Sequence, residues 1–366
     1  MAQENSQDYY VYVGTYTHGD SEGIYVYRLD GETGALEYSS KITGVENPSF
    51  LDIHPSGRYL FAVNEIGEFE GKASGAVTAF YIHGSTGELS FLNQQATGGG
   101  APCHVSIDAT GKYLLVANYG GGSVAAFPIG KDGRLGEASD FVQHQGSSVN
   151  PGRQSEPHAH AIMIDGSNRF AFAPDLGLDK ILIYQLDLEN GKLVPNTQPW
   201  ARVHPGAGPR HLDFHSNGKY AYVINELDST FTAFRYDENA GSLTEIQSIS
   251  TLPDDFDGTS HCADVHVHPS GKFLYGSNRG HDSIVICAID EETGMLTYID
   301  CESTQGQTPR NFGLNPAGTF LLAANQQTSN IVTFAVDAET GELTETGKVA
   351  EVPNPVCLKM LACSYS

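Results

Sequence analysis

Positive charge is scarce in this chain: 20 lysines and arginines stand against 44 aspartates and glutamates in 366 residues, a formal net charge of −24. A field of that sign repels nucleic acid and anionic membrane surfaces, which excludes both as partners, and it favours solubility. Cysteine is present but unpaired. The six at positions 103, 262, 287, 301, 357 and 363 form no CxxC or CxxxC spacing, so neither a zinc site nor a disulfide framework is expected and reduced, buried thiols are. No apolar run approaches the length of a membrane span, and Met1–Asp8 has neither the basic nor the apolar stretch of an export signal. These absences predict a soluble, cytoplasmic protein with a disordered N-terminal tail over residues 1–8.

Long helical patterning is missing as well: no window carries an extended apolar face at the 3.6-residue period. What the chain has instead is 41 glycines, 18 tyrosines and 17 phenylalanines, the composition of many short strands joined by tight turns. No linker or low-complexity tract interrupts it; the runs Gly98–Gly100 and Gly120–Gly122 are expected at turns.

One hairpin returns seven times, as an acidic stretch, a glycine turn and a leucine-led restart. Its glycines are Gly34, Gly87, Gly133, Gly191, Gly241, Gly294 and Gly341, spaced 46 to 58 residues apart. A second half-repeat, a short run, a Gly-centred turn and an aromatic or aliphatic strand, spans Pro48–Asn64, Pro102–Asn118, Pro157–Asp175, Pro209–Asn225, Cys262–Asn278 and Pro309–Asn325. Repeats of this length built from strands are propeller blades, because a lone four-stranded sheet covers neither face until neighbours stack on it.

The seventh copy of that half-repeat is absent from the beginning of the chain. Pro355–Leu361 has the length and apolar content to supply its inner strand, with Tyr9–Tyr16, Gly23–Asp30 and Leu36–Lys41 as the other three. The fold predicted is therefore all-β, a seven-bladed β-propeller of four-stranded antiparallel blades. Its ring closes by pairing the C-terminal strand with the N-terminal ones, in one domain over residues 9–363. Closure removes the open sheet edges that invite aggregation.

In a blade the beginning of the first strand and the end of the second open on one face, beside the central channel. First-strand beginnings supply His104, His158, His160, Arg210, His211, His261, Asp264, Arg310 and Asn311; second-strand ends supply Glu65, Tyr119, Asp175, Glu226, Arg279 and Gln326. In so acidic a chain, three arginines converging on one rim mark a site for a small anion. The Asn64, Asn118, Asp175, Asn225, Asn278, Asn325 column recurs in every copy and is expected to cap turns. His54, His215 and His268, just before the turn glycines, are expected to be turn and surface residues.

Function is sought where the repeat is broken: at Arg210, Arg279, Arg310 and Glu226. A salt bridge within the channel is an alternative role for Arg210 and Glu226. His158 and His160, two apart, would point the same way and could pair on a metal. No third ligand at a fixed spacing is visible, so no metal and no cofactor are expected.

The HPSGR-type turns (His54–Arg58), the opening Tyr10–Tyr16 (YVYVGTY), Pro157–His160 (PHAH), Pro209–Arg210–His211, Ile224–Asn225–Glu226 and Ser277–Gly280 (SNRG) together resemble the seven-bladed propeller lactonase family. That family includes bacterial 6-phosphogluconolactonases and fungal carboxy-cis,cis-muconate lactonizing enzymes, and the likeness runs from Tyr9 to about Leu361. It implies a catalytic set of His160, Arg210, Glu226 and Arg279, to which His104, His158, His211 and Arg310 are added as substrate-binding residues. Opening a lactone needs an activated water, an oxyanion stabiliser and a grip on an anionic tail. Histidine or glutamate serves the first need and arginine forks serve the others.

The expected activity is hydrolysis of a sugar-derived lactone, 6-phosphogluconolactone to 6-phosphogluconate, by a monomer acting on a small anionic lactone, with His160 or Glu226 as base. The alternatives are a muconate cyclase and a non-enzymatic interaction platform. A calcium-dependent site would need Glu65, Asp175, Glu226 and Asp264 to converge on the axis, beside arginines that oppose a cation.

Overall fold

The computed structural model describes residues 7–363. Seven four-stranded antiparallel sheets stand around an axis, and no α-helix occurs among the described residues. Blade 1 is composite: its innermost strand Pro355–Ala362 pairs with Tyr9–Thr15, followed outward by Gly23–Leu29 and Leu36–Thr43. The other six blades follow in chain order from inside to outside; blade 5, for example, runs Pro209–Phe214, Tyr220–Asn225, Thr230–Asp237 and Ser242–Ser250. The expected closure is observed, with Tyr12 opposite Lys359 and Val13 opposite Leu358. Of the expected tail over 1–8, residues 1–6 lie outside the described residues. Gln7 donates to the Cys363 carbonyl at 3.0 Å and Asp8 accepts the Gly31 amide at 3.0 Å, so both belong to blade 1.

The core lies between blades rather than on the axis. Second strands such as Tyr59–Asn64, Tyr220–Asn225 and Phe320–Asn325 are buried along their whole length, because a neighbouring blade covers each face. They therefore read as continuous apolar runs, whereas the outermost strands, with one face in water, are mostly half-buried or exposed. One phenylalanine buried in such a seam contributes about 1.5–3 kcal/mol.

The seven turn glycines bind blade to blade. All have positive φ, and a Cβ at Gly294 would come 2.3 Å from the Tyr220 ring of the preceding blade; one at Gly341 would come 2.5 Å from Phe273. Backbone conformation and close approach thus both demand glycine.

The histidines before the second set of turns act in the same way: they hold turns as expected, but His215 and His268 are not surface residues and His54 is half-buried. His215 and His268 are buried, and their Nε2 atoms reach the Gly271 and Gly318 carbonyls of the next blade at 2.8 and 2.9 Å; His54 makes the same bond to Gly111 at 3.0 Å. Their Nδ1 atoms hold their own turns, as His215 does by accepting the Asn217 amide at 3.0 Å. The Asn column is structural as expected, but it bridges the hairpin to third-strand side chains, as in Asn118 to Ser123 at 3.1 Å and Asn225 to Thr232 at 2.9 Å.

Candidate active site

A backbone irregularity delivers the first cations. In blades 3, 5 and 7 the pairing of first and second strands shifts just after a proline: Pro209 faces Asn225 and His211 faces Ile224, which leaves Arg210 as the extra residue. Arg310 and Cys103 are the extra residues at the equivalent bulges, between Pro309 and Asn311 and between Pro102 and His104. A bulge re-aims the side chain it carries, and here all three turn into one cavity, shared with Tyr16, Ser49, Phe50, Glu65, His160, His211 and Val356.

Glu226 is the hub. Its Oε2 lies 3.1 Å from Arg210 Nε, 2.9 Å from Arg279 Nη2 and 3.9 Å from His160 Nε2, while Oε1 takes Arg153 Nη2 at 2.6 Å. Burial alone would raise its carboxyl, but the charges of Arg279 and Arg210, with the Arg153 hydrogen bond behind them, hold it well below the usual range. Glu226 is thus an anion across the physiological range and a weak base. His160 is lowered as well, with the opposite consequence for charge: burial first, then the Arg210 charge, outweigh Glu226 and keep its imidazole neutral. Its Nδ1 faces the Cys103 thiol at 3.6 Å, which leaves Nε2 toward the cavity.

Arg210 is nearly inaccessible. It spends Nε on Glu226 and Nη1 on the Ala263 carbonyl and on His211 Nε2, the last at 3.1 Å. Burial brings the Arg279 guanidinium down to about 10, still charged at neutral pH, and its Nη2 also donates to the Cys262 carbonyl at 2.8 Å. Arg310 lies over the Tyr16 ring, 5.4 Å from its centroid, and donates no hydrogen bond among the described residues. Tyr16 in turn donates to Glu65 Oε2 at 2.8 Å.

The remaining candidates fall into separate layers. His158 sits at the rim, stacked on Tyr119 with ring centroids 4.6 Å apart, its Nδ1 on the Tyr119 carbonyl. His104 lies deeper, stacked on Phe50 at 4.2 Å and accepting the Ile162 amide; it lines a second chamber of about 140 Å³ rather than the arginine cavity. His211 lines both and is held by Asp264 Oδ1 at 2.7 Å. Asp175 leaves the axis altogether: it binds His144 Nδ1 at 2.6 Å and the His158 and Gly177 amides. The four carboxylates considered for calcium therefore do not converge, and among the described residues no three His, Cys, Asp or Glu side chains are arranged to hold a metal.

Sequence reasoning missed Arg153. It arrives on the segment between the outermost strand of blade 3, Asp140–Gln143, and Met163–Ile164 of blade 4. The available signal was the interval from Gly133 to Gly191, at 58 residues the longest of the seven-glycine series.

Comparison with known proteins agrees with this architecture. The family description "Lactonase, 7-bladed beta-propeller" matches residues 10–360. The 6-phosphogluconolactonase of Bacillus subtilis is 39% identical over 96% of this chain and 98% of its own, and that of Formosa agariphila 36% identical over 83% and 86%. The solved structure of the periplasmic gluconolactonase of Pseudomonas aeruginosa superposes with a TM-score of 0.92 at 35% identity, covering 98% of this chain and 100% of that one.

Proposed function

The chain belongs to the seven-bladed β-propeller lactonases, and from that membership we propose that it hydrolyses 6-phosphogluconolactone to 6-phosphogluconate at the Arg/His/Glu cavity. The observation that carries this assignment is the division of charge between Glu226 and His160. The carboxylate is committed to three arginines and the imidazole beside it is neutral, so His160 is the available base.

In this mechanism His160 Nε2 takes a proton from water as its oxygen attacks the lactone carbonyl. Arg310, whose donors are uncommitted, and the remaining donors of Arg210 and Arg279 face the developing oxyanion, where charge-assisted hydrogen bonds are strongest. When the tetrahedral carbon collapses, the ring C–O bond breaks. The imidazolium returns its proton to the departing ring oxygen, which becomes a hydroxyl, and the acyl carbon becomes a carboxylic acid that ionises to the carboxylate and releases its proton to water. Glu226 does not exchange protons; it fixes the two buried guanidinium planes. The names of the relatives favour hydrolysis over muconate cyclisation, which would use the same grip on an anion.

The test is acid release from freshly made 6-phosphogluconolactone in weak buffer, followed against spontaneous hydrolysis. The wild-type protein should exceed that background by orders of magnitude and His160→Ala should lose about 10²–10⁴-fold. A wild-type rate equal to buffer alone overturns the proposal.

A further inference from the structure

The geometry points to Arg153 as the residue that selects a phosphorylated over an unphosphorylated lactone. This rests on the lactonase assignment above and adds to it the source of substrate discrimination.

Arg153 is the outermost cation of the site, with its side chain 37% exposed against 3% for Arg210 and 15% for Arg279. Its loop is nevertheless pinned. The neighbouring Gln154 is fully buried and donates to the Leu176 carbonyl at 2.9 Å and to Asp179 Oδ1 at 2.7 Å, while its amide closes a turn on the Asn150 carbonyl at 2.7 Å. The guanidinium is anchored through Nη2 alone, on Glu226 and on the Tyr119 hydroxyl at 3.3 Å. Nε and Nη1 meet no acceptor among the described residues and remain as a donor pair at the rim.

The chemistry of the substrate matches this arrangement. In a 6-phosphorylated 1,5-lactone the phosphate is carried on C6, an exocyclic arm on the far side of the ring oxygen from the carbonyl carbon. With the carbonyl deep beside His160 and Arg310, the phosphate reaches the rim. There it would find a planar fork suited to phosphate oxygens. Four guanidinium groups, Arg153, Arg210, Arg279 and Arg310, stand beside Glu65 and Glu226, with Asp264 one layer below, so the rim keeps a local positive excess in a chain of net charge −24. A phosphate monoester carries close to two negative charges at neutral pH. Arg153 is also the dispensable partner of Glu226, whose Oε2 stays bound to Arg210 and Arg279 without it.

The experiment compares kcat/KM for 6-phosphogluconolactone and glucono-1,5-lactone in the wild type, Arg153→Ala and Arg153→Lys, with calorimetric titration of inorganic phosphate alongside. In Arg153→Ala the phosphorylated-to-unphosphorylated ratio should fall about 10- to 100-fold, the loss of one or two charge-assisted hydrogen bonds. Lysine should recover part of it, and phosphate affinity should fall in parallel. An unchanged ratio, with both substrates slowed equally, would mean that Arg153 only positions Glu226 and would overturn the inference. A wild type that turns over neither lactone yet loses phosphate binding on Arg153→Ala would refute the lactonase assignment and leave the anion subsite standing.

Discussion

His211 Nδ1 lies 2.7 Å from Asp264 Oδ1, a bond between neighbouring blades in the layer beneath the arginines. Asp264 also takes His266 Nε2 at 3.0 Å, and His211 Nε2 faces Arg210 Nη1, so a continuous line of contacts joins the deep chamber to Glu226. Burial, then the Arg210 charge, lower the His211 imidazole to about 4 despite Asp264, so the ring is neutral in the folded protein.

That displacement makes stability depend on pH. An unfolded histidine takes up its proton near pH 6.5, whereas folded His211 resists until about pH 4. Between those values the unfolded chain holds more protons, so stability is complete above about pH 6.5 and is lost as the pH falls toward 4, by about 3 kcal/mol from this residue. His104 and His160, lowered in the same direction, add to it. Urea midpoints at pH 7 and pH 5 should separate, and His211→Asn should narrow the gap. An equal gap in both proteins counts against this origin.

The proposed role of His160 predicts the pH dependence of catalysis. With its neutral form as the proposed base, kcat/KM should rise with pH to a plateau, with the acid limb below the ordinary imidazole value. Glu226 is the negative neighbour that most opposes this lowering. Glu226→Gln should therefore move the limb further toward acid while cutting the rate about 10²-fold or more, as Arg210 and Arg279 lose their common anchor. A limb that stays in place when Glu226 is neutralised would point to a different titrating group.

Two glycines with similar backbones separate conformational strain from crowding. Gly218 and Gly294 have φ of 69° and 74°, but a Cβ meets nothing within 4 Å at the first and the Tyr220 ring at 2.3 Å at the second. Alanine at Gly218 should cost about 1–2 kcal/mol for the left-handed conformation alone. At Gly294 it should cost about 1–3 kcal/mol more, because the ring must shift. Thermal melts of the two variants compare these costs directly; equal losses would remove the proposed contribution of packing between blades.

Much of the candidate site's clustering was legible because symmetry marks structure and its violations single out the residues that the structure brings together. Arg210, Glu226 and Arg279 break positions otherwise repeated from blade to blade, and the structure joins all three within 3.1 Å of one carboxylate oxygen or its own side chain. Depth was not legible. His104 and Arg210 begin equivalent strands, but the bulge after each proline sends the residue next to it into the arginine cavity and the following one into the layer below. Hydrophobic periodicity carries no mark of an added residue in one strand of a pair. Arg153 was hidden for a related reason: a loop outside the repeat has no column with which to compare it.

Period, turn glycines and apolar second strands determined the ring by themselves, since each is a local requirement repeated seven times and satisfied by stacking like on like. Tertiary structure alone decided which charges meet. Glu226 faces Arg153, 73 residues away in sequence, and stands between His160 of blade 4 and Arg279 of blade 6. Those distances, with the loss of water around them, hold Glu226 as an anion and His160 as a neutral imidazole.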